Sequence, residues 1–587
     1  MRWIIPVCLI LLTILKAEAD MPAVKLSPQA GRINPMLFGG FVELLDDLVP
    51  GMWAEMLNDR SFEGVTRPSS WCYYDGALNF CDREWVGAEY DTVNPFNGSR
   101  SAKLTGSLTQ SGLAVRKGMA YRFSGYLRGD TQAEVILKAL LPDGSWMELA
   151  SAKLSKASGQ WKKYSAKLTA KGTSDRAVFE IRAIGKGNLW ADKLSLVPSD
   201  NVDGWREDVV QAIKEAHPAI IRWGGSVCDP GGYRWKNGIG DRDRRVPFPN
   251  KVWGRIDSND VGIDEFCRFC ELVGAEPLIC ISFSDGSQSA ADLVQYCNAG
   301  DDNEWGAKRA ASGHPEPYHV KYWQLGNELG NADYVNALPE FCKAMKAADP
   351  KAVLMASFPS QEMIDKAGKG LDYVCPHHYT PDFAACEADF EKLAGMLEGT
   401  DIKIAVTEWN STAGDWGLGR GKLMTLGGAL LNAHYLNLLM RHSDMVDIAC
   451  RSNMTNSLCS GMIATNAAGL LKRPSYYVMK LYADHAKPVP VTVENAPEGV
   501  DVFASKSEDG KSVCIFAVNM NTKPVELGLG DLHAIGGERV CDTLDQRQAD
   551  VMNHWDAPDR VKTVEFKATG STATLPALCI SAIECGE

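Results

Sequence analysis

Two glutamates follow directly after apolar runs of the kind that form buried β-strands. Glu328 comes after Val320–Asn327, and Glu408 comes after Ile402–Thr407. In a barrel of parallel strands, polar side chains at the carboxyl ends of the strands line one common opening. Two carboxyl groups there can hydrolyse a glycosidic bond, because one protonates the leaving oxygen while the other attacks the anomeric carbon or activates water. One glutamate alone would as readily form an ion pair, but a pair at matching strand ends favours catalysis.

The distance between the two carboxyl groups decides the stereochemistry of such a reaction. A separation of roughly 5–5.5 Å allows a covalent intermediate and retention of configuration, whereas a wider gap leaves room for water and gives inversion. The sequence does not contain this distance, so both outcomes stay open at this point.

The two carboxylates need a frame of parallel strands, and the chain provides one. From about residue 219 onward, short apolar runs alternate with segments of helical periodicity, which is the pattern of a parallel sheet wrapped by helices. One further run lies earlier in the chain. The eight runs are Leu37–Phe41, Ala219–Trp223, Pro277–Phe283, Lys321–Asn327, Ala352–Ser357, Asp372–His377, Ile402–Thr407 and Val446–Cys450. They predict an α/β fold, a (β/α)₈ TIM barrel in which Glu328 and Glu408 follow strands four and seven.

Two segments outside the barrel pattern predict β-sandwiches. Residues 64–199 alternate strands with turns such as Pro142-Asp143-Gly144, which predicts a β-sandwich inserted between the first and second barrel strands. Residues 487–587 are again rich in strands and predict a C-terminal β-sandwich. Residues 20–63 are then an N-terminal segment with the first barrel strand, and residues 200–486 form the rest of the catalytic barrel.

The charge of the chain restricts its partners. Among its 587 residues, 61 Lys and Arg stand against 74 Asp and Glu, so the formal net charge is −13. Such a surface repels polyphosphates and anionic lipids but imposes no electrostatic penalty on a neutral polymer. We therefore expect no nucleic-acid partner, and a plant cell-wall polysaccharide or oligosaccharide is compatible.

The amino terminus has the pattern of a signal peptide. The apolar run Ile4–Leu15 is too short to span a bilayer, and Ala17-Glu18-Ala19 provides the small residues that a signal peptidase requires. We expect residues 1–19 to be removed and the mature protein to be secreted or periplasmic, without membrane insertion. Disulfides can form in these compartments, and Cys72 and Cys81 are the pair expected to form one.

Several motifs are more specific than the pattern of strands. They are Ile33-Asn34-Pro35-Met36-Leu37-Phe38-Gly39, Trp53-Ala54-Glu55-Met56-Leu57-Asn58-Asp59-Arg60, Tyr233-x-Trp235-x-Asn237-Gly238-Ile239-Gly240, Gly326-Asn327-Glu328 and Thr407-Glu408-Trp409-Asn410. Together they resemble the family 51 glycoside hydrolases, best known as α-L-arabinofuranosidases, across the N-terminal strand, the barrel and the C-terminal sandwich. The resemblance implies that Glu328 is the acid/base and Glu408 the nucleophile of a retaining double displacement.

The same resemblance implies residues that bind the substrate. Asn327 matches a residue that hydrogen-bonds a sugar hydroxyl near the reacting carbon, and Glu43 matches a glutamate that holds sugar hydroxyls. His377 and Tyr379 match a His-x-Tyr motif at the sixth strand, where the tyrosine orients the nucleophile by a hydrogen bond. The structural alternatives are a loop cap for Asn327, a surface acid for Glu43 and a buried, satisfied histidine for His377.

Four further positions bear on the shape of the sugar pocket. Ser226 stands where the family usually has Asn or Cys, and Leu44 stands where a His commonly follows the opening glutamate. Trp253 and Trp409 are candidates for apolar platforms under a sugar ring, with barrel packing as the alternative. We include Ser226 and Trp253 among the substrate-binding candidates. Because Ser226 and Leu44 depart from the family pattern, an endo-acting enzyme remains an alternative interpretation.

The inserted segment resembles carbohydrate-binding modules through Asn94–Leu104 and Leu189–Leu196, with a structural spacer as the alternative. This resemblance implies that the inserted β-sandwich is a jelly roll. The leading hypothesis is a retaining hydrolase that releases terminal α-L-arabinofuranosyl residues from hemicellulose such as arabinoxylan or arabinan. The alternatives are an endo-β-1,4-glycanase (glucanase or xylanase) on the same fold and a non-catalytic glycan-binding protein. Because two carboxylates suffice for the chemistry, we expect no metal and no organic cofactor. Family enzymes are often oligomeric, so a homo-oligomer is compatible with the resemblance.

Overall fold

A computed structural model describes a central barrel, an inserted sandwich and a C-terminal sandwich. The described ranges are 23–45, 47–64, 84–412, 418–457 and 459–586. The predicted signal peptide and the predicted disulfide between Cys72 and Cys81 lie outside these ranges. The fourteen cysteines within them are free thiols. Strands and helices are numbered along the chain.

The amino-terminal segment contributes to two of the three bodies. Its elements are β1 (Lys25–Pro28), β2 (Gly39–Val42) and α1 (Leu48–Met52). The predicted strand Leu37–Phe41 is wrong in its first half, because Pro35–Phe38 form a 3₁₀ helix. Asn34 caps this helix by accepting a hydrogen bond from the backbone N–H of Met36, and Pro35 has the fixed φ that suits a first helical position.

The inserted segment folds into an antiparallel β-sandwich. Its strands are β3 (Trp85–Asp91), β4 (Ser101–Val115), β5 (Ala120–Gly129), β6 (Gln132–Leu140), β7 (Trp146–Lys153), β8 (Lys162–Thr169), β9 (Ser174–Ile184) and β10 (Leu189–Pro198). They pair in the order β7-β6-β9-β4-β10-β5-β8, with β3 also on β4. The long strand β4 pairs with β10 near its start and with β9 further along, so the sheet closes around a core that includes Leu108, Phe123 and Phe179.

The barrel alternates strands and helices from residue 207 onward. Its elements are α2 (Glu207–Glu215), β11 (Ile220–Trp223), β12 (Phe248–Asn250), β13 (Arg255–Asp257), α3 (Ile263–Val273), β14 (Glu276–Ile281), α4 (Gly286–Asn298), α5 (Glu304–Ala311), β15 (Tyr322–Leu325), α6 (Ala332–Ala348), β16 (Val353–Ser357), α7 (Gln361–Ala367), β17 (Tyr373–Cys375), β18 (His377–Tyr379), α8 (Phe383–Leu397), β19 (Lys403–Asn410), α9 (Leu426–Arg441), β20 (Val446–Arg451), β21 (Ile463–Thr465), β22 (Leu470–Lys472) and α10 (Pro474–His485).

Eight parallel strands close the barrel and confirm the predicted fold class. The order is β2, β11, β14, β15, β16, β17, β19 and β20, and β20 pairs back onto β2. The predicted sixth strand, Asp372–His377, is divided into β17 and β18 by Pro376, which lacks a backbone N–H for the ladder. Both pieces pair with β19, so the barrel stays closed at this point.

The barrel interior is filled by side chains from its own strands. Phe41, Leu278, Met355 and Ile448 belong to one buried cluster there. The guanidinium carbon of Arg222 lies 4.6 Å from the ring centroid of Phe41. The buried guanidinium of Arg222 therefore packs against this apolar layer.

The C-terminal sandwich includes a strand from the start of the chain. Its strands are β23 (Val489–Glu494), β24 (Val500–Lys506), β25 (Ser512–Asn519), β26 (Val525–Gly528), β27 (His533–Asp542), β28 (Val561–Phe566), β29 (Thr572–Leu575) and β30 (Cys579–Gly586). The main sheet has the order β1-β23-β24-β25-β30-β27-β28, and β26 pairs with β29. Strand β1 therefore covers the edge of β23, which would otherwise be unpaired. The predicted N-terminal segment thus differs from the structure, because this part of it belongs to the sandwich.

Both sandwiches are anchored on the barrel. The ring of Tyr482 in α10 stacks on Phe516 of β25 at a centroid distance of 4.4 Å. On the other side, the buried guanidinium of Arg60 lies 2.7 Å from Asp243 and 2.9 Å from Asp260, and its Nε donates to the carbonyl of Leu194 in β10. The inserted sandwich is therefore held by a buried ionic contact rather than by a free tether.

Within the described ranges, no helix combines the length and the apolar character needed to cross a bilayer.

Candidate active site

The barrel brings the two predicted catalytic glutamates together at the carboxyl ends of its strands. Glu328 follows β15, the fourth strand, and Glu408 lies near the end of β19, the seventh. One carboxylate oxygen of Glu328 and one of Glu408 lie within 4.8 Å of each other. Retaining glycosidases hold their carboxyl groups roughly 5–5.5 Å apart, and inverting ones roughly 6.5–9.5 Å apart. The observed separation fits a nucleophile and an acid/base with no water between them.

Glu328 is placed by a tight turn at the end of β15. Gly326 has φ 73° and Glu328 itself has φ 52°, a left-handed conformation that residues with a Cβ rarely adopt. A Cβ at Gly326 would lie 2.7 Å from Leu329 Cδ1, so the turn needs glycine there. The hydroxyl of Ser357 in β16 accepts a hydrogen bond from the backbone N–H of Leu329 at 3.1 Å. This backbone strain at a catalytic position is typical of functional sites.

Glu408 is buried and held from both sides. Arg222 Nη1 donates to one carboxylate oxygen at 2.7 Å, and the hydroxyl of Tyr379 donates to the other at 2.6 Å. Burial alone would raise the pKa of Glu408, but the positive charge of a protonated His377, the charge of Arg222 and the hydrogen bonds from Tyr379 and Arg222 together lower it. Glu408 is therefore kept as the carboxylate that a nucleophile requires.

Arg222 connects three barrel strands and was not among the predicted site residues. Besides Glu408, its guanidinium donates to Gln324 Oε1 at 2.7 Å and to Asn327 Oδ1 at 2.7 Å. The side chain is fully buried, and the charge of Glu408 raises its pKa against the effect of burial. A signal was present in the sequence, since Arg222 is a charged residue inside the otherwise apolar strand Ile220–Trp223.

Tyr379 lies in β18, with its hydroxyl beside the carboxylate of Glu408. Burial and the neighbouring charge of Glu408 raise the pKa of its hydroxyl well above the ordinary value, so the hydroxyl keeps its proton. Because the hydroxyl of Tyr379 donates its hydrogen bond to Glu408, the hydroxyl of Ser452 at 2.6 Å acts as the donor to Tyr379. Ser452 follows the eighth strand, and no motif in the sequence singled it out.

His377 lies between the two carboxylates. Its Nδ1 is 3.0 Å from Glu328 Oε1 and 3.8 Å from Glu408 Oε2, while its Nε2 is 3.1 Å from the hydroxyl of Thr407. His377 contacts Glu328 directly, so it is more than a satisfied core residue.

Asn327 and Ser226 form the side of the site next to strand two. The amide Nδ2 of Asn327 donates to the hydroxyl of Ser226 at 3.2 Å, and its Oδ1 accepts from Arg222. Ser226 thus lies in the site, where its hydroxyl is positioned beside an amide. Their predicted contacts with sugar hydroxyls remain predictions.

Glu43 and Trp253 form a second acidic position at the end of strand one. Glu43 accepts hydrogen bonds on one oxygen from the backbone N–H of Val227 at 2.9 Å and from the indole N–H of Trp253 at 3.1 Å. Glu43 is therefore a buried acid and not the surface acid of the alternative interpretation. Burial and the charge of Glu408 raise the pKa of Glu43 to about 8, so it is neutral at neutral pH.

The tryptophans behave differently from the sequence interpretation. Trp253 directs its N–H at Glu43, so its contact in the site is a hydrogen bond that orients an acid. Trp409 is 1% exposed and its ring packs 4.8 Å from Tyr435. Of the two interpretations of Trp409, the structure supports barrel packing, because the seventh strand directs this side chain into the barrel wall.

Two groups of side chains among the described residues have the spacing of metal ligands. One is Glu328, His377 and Glu408, and the other is His485, Cys514 and Glu584 at the junction of the barrel and the C-terminal sandwich. The first group already contains the ion pair of Glu408 with Arg222, and the repulsion between a guanidinium and a metal cation disfavours binding there. The arrangement is suited to acid/base and nucleophilic chemistry by the carboxyl groups themselves.

Family models match most of the chain. The α-L-arabinofuranosidase 1 domain matches residues 212–394, and the α-L-arabinofuranosidase C-terminal domain matches residues 407–579. These two models together cover more than half of the chain. A carbohydrate binding domain matches residues 54–187, which contain most of the inserted sandwich.

Two relatives are similar to this chain over more than half of its length. An intracellular exo-α-(1→5)-L-arabinofuranosidase of Acetivibrio thermocellus is 27% identical over 412 residues, covering 58% of this chain and 81% of that protein. A probable α-L-arabinofuranosidase C of Aspergillus niger is 26% identical over 382 residues, covering 52% of this chain and 74% of that protein.

Solved structures share the fold. The arabinose complex of an α-L-arabinofuranosidase from Thermotoga maritima has a TM-score of 0.59 and 26% identity, covering 66% of this chain and 91% of that one. An arabinose-bound α-L-arabinofuranosidase of glycoside hydrolase family 51 has a TM-score of 0.78 and 17% identity, covering 96% of this chain and 100% of that one. The second match extends the shared fold to nearly the whole chain, including the insertion.

The raised pKa of Glu43 makes stability depend on pH. Between the usual glutamate pKa and about 8, the folded chain holds a proton on Glu43 that the unfolded chain releases, so stability falls as the pH rises through this window. Glu43→Gln reproduces the neutral form and removes this loss. We expect the variant to gain on the order of 2–4 kcal/mol in free energy of unfolding relative to wild type between pH 5 and pH 8. Urea unfolding at both pH values measures this, and a difference that does not change with pH would contradict it.

Proposed function

Because this chain belongs to glycoside hydrolase family 51, the family of the α-L-arabinofuranosidases, we propose that it releases terminal α-L-arabinofuranosyl residues from hemicellulose with retention of configuration. The observation that carries the proposal is a close pair of carboxyl groups in unlike surroundings. The side chain of Glu408 is 9% exposed and paired with Arg222, whereas the side chain of Glu328 is 39% exposed. One is suited to attack from within the barrel, and the other to exchange protons with groups that arrive from solvent.

The first step of the proposed reaction forms a bond between the sugar and Glu408. A carboxylate oxygen of Glu408 attacks the anomeric carbon while Glu328 gives its proton to the glycosidic oxygen, and the bond from the anomeric carbon to that oxygen breaks. The leaving group departs with a new hydroxyl, and the sugar remains as an ester on Glu408. Arg222 and Tyr379 orient the carboxylate for this attack by their two hydrogen bonds.

The second step returns the enzyme to its starting state. Glu328, now a carboxylate, takes a proton from a water molecule as the water oxygen attacks the anomeric carbon. The bond to Glu408 breaks, and its carboxylate regains the full ion pair with Arg222. Two inversions give net retention, so the released arabinose keeps the α configuration.

The preference for a terminal arabinofuranosyl residue is supported by the relatives. The protein of Acetivibrio thermocellus is named as an exo-acting enzyme on α-(1→5)-linked arabinofuranose. For this chain, arabinoxylan and arabinan are the proposed polymers. The carbohydrate binding domain matched by the insertion supports a polysaccharide substrate.

Export of the protein is part of the same proposal. Residues 1–19 have the composition of a signal peptide, and export would bring the enzyme to a cell-wall polymer. We propose that the mature chain starts at Asp20 in the periplasm or medium. Amino-terminal sequencing of the native protein tests this, and an intact Met1 would contradict it.

The catalytic assignment is tested with 4-nitrophenyl α-L-arabinofuranoside. We expect Glu408→Ala to reduce kcat by on the order of 10⁴-fold or more, because no other group replaces the nucleophile. Glu328→Ala should lose less with this substrate, since 4-nitrophenolate departs without a proton, and much more with an unactivated arabinoside. The surface variant Glu304→Ala, in which an exposed glutamate is removed, serves as the matched control and should behave as wild type.

Azide separates the two roles further. Added to Glu328→Ala, azide should give arabinosyl azide of the α configuration; added to Glu408→Ala, it should give the β azide by direct attack. Wild-type rates in Glu408→Ala would contradict the mechanism. Release of reducing ends from xylan or β-glucan without release of arabinose would contradict the proposed substrate.

A further inference from the structure

Phe358 is an exposed aromatic side chain at the mouth of the barrel. It directly follows β16, the fifth strand, on the edge where the catalytic groups lie. Its side chain belongs to the exposed class, with 42% of the residue accessible. In the part of the barrel that the structure describes, it is the one aromatic residue exposed to this degree.

The backbone of Phe358 is strained as well as exposed. Its φ is 45°, in the left-handed region that bulky residues avoid, and the following residue is Pro359, which restricts it further. Its backbone N–H donates to the carbonyl of Cys375 at 3.3 Å, which helps to hold this conformation. The exposed ring gains little from burial to offset the cost of this strained backbone conformation. Backbone outliers of this kind cluster at functional sites.

The ring lies beside the acid/base. It packs edge-on against the ring of His377 at a centroid distance of 5.8 Å and an angle of 72°, and His377 in turn contacts Glu328. The loop that carries Glu328 runs alongside, because Ser357 bonds to Leu329 and a Cβ at Gly330 would lie 3.5 Å from that of Phe358. Phe358 therefore shares the side of the site on which Glu328 stands.

The side of the site next to Glu328 receives the leaving group. Glu328 gives its proton to the glycosidic oxygen, so the chain that departs with this oxygen must extend past Glu328 toward solvent. Glu408 lies on the buried side and faces the arabinose ring. A flat apolar surface next to the departing oxygen suits the C–H face of a sugar ring, for which aromatic side chains provide contact area.

We propose that Phe358 is the platform on which the first sugar residue of the leaving group stacks. The proposal rests on the function proposed above and adds a determinant of specificity to it. The ligand is a neutral sugar ring of the polysaccharide backbone or of the neighbouring arabinose. Phe358 contacts this ring of the leaving group. The arabinosyl group that undergoes the reaction is bound by the other side chains of the site.

The test compares a substrate that reaches the ring with one that does not. The first is a xylo-oligosaccharide with one α-L-arabinofuranosyl branch, and the second is methyl α-L-arabinofuranoside, whose leaving group is a single methoxy group. Both release arabinose, which is measured in the same coupled assay. The variants are Phe358→Ala, which keeps the Cβ and the backbone strain but removes the ring, and Phe358→Tyr, which keeps the ring. Val246→Ala, at another exposed apolar residue of the barrel, is the control.

We expect Phe358→Ala to lower kcat/KM for the oligosaccharide by about tenfold, mainly through KM, and to change that for the methyl arabinoside less than about twofold. Phe358→Tyr and Val246→Ala should match wild type on both. Equal losses on both substrates would overturn the proposal, because the ring would then act by positioning His377 and Glu328. Unchanged kinetics on both would also overturn it. A wild-type chain that releases arabinose from neither substrate would instead sink the proposed function itself.

Discussion

The ion pair between Arg222 and Glu408 is the interaction on which the site depends. A guanidinium buried inside a barrel is costly unless a carboxylate faces it and its remaining N–H groups are bonded. Here the carboxylate is that of Glu408, the proposed nucleophile, and Gln324 and Asn327 accept the other hydrogen bonds. One cation thus ties strands two, four and seven together and fixes the charge of the attacking group. The same contacts that stabilise the barrel mouth also prepare it for reaction.

The three glutamates of the site differ because they share this one cation. Glu408 takes the charge compensation of Arg222, so its pKa is lowered despite burial. Glu43 is as deeply buried, and burial together with the neighbouring charge of Glu408 outweighs the weaker effect of Arg222 and raises its pKa to about 8. Glu328 avoids the cost of burial through its exposed side chain. Their surroundings therefore separate a charged carboxylate, Glu408, from a neutral acid, Glu43, and leave the proposed proton donor, Glu328, open to solvent.

Much of this arrangement could be predicted from the sequence, and the exceptions have physical reasons. The eight strands were readable because parallel strands buried on both faces are continuous apolar runs, and the glutamates stood out as the polar residues that end them. The division of the sixth strand depends on Pro376 alone. The apolar run around this proline is otherwise continuous, so it was interpreted as one strand. Strand β1 joins a sheet formed by residues more than 450 positions later, and no local pattern reports such a pairing. Arg222 and Ser452 were missed as site residues because their roles arise only when separate strands meet.

The stereochemistry of the first product tests the central claim most directly. Proton NMR of wild-type hydrolysis of 4-nitrophenyl α-L-arabinofuranoside, recorded before the sugar mutarotates, shows which anomer of arabinose is released. A carboxyl pair within 4.8 Å, with Glu408 as nucleophile, predicts that the α anomer appears first and the β anomer only later. If the β anomer appeared first, water would have attacked the sugar directly, and the account of Glu408 as the group that bonds to the sugar would be wrong.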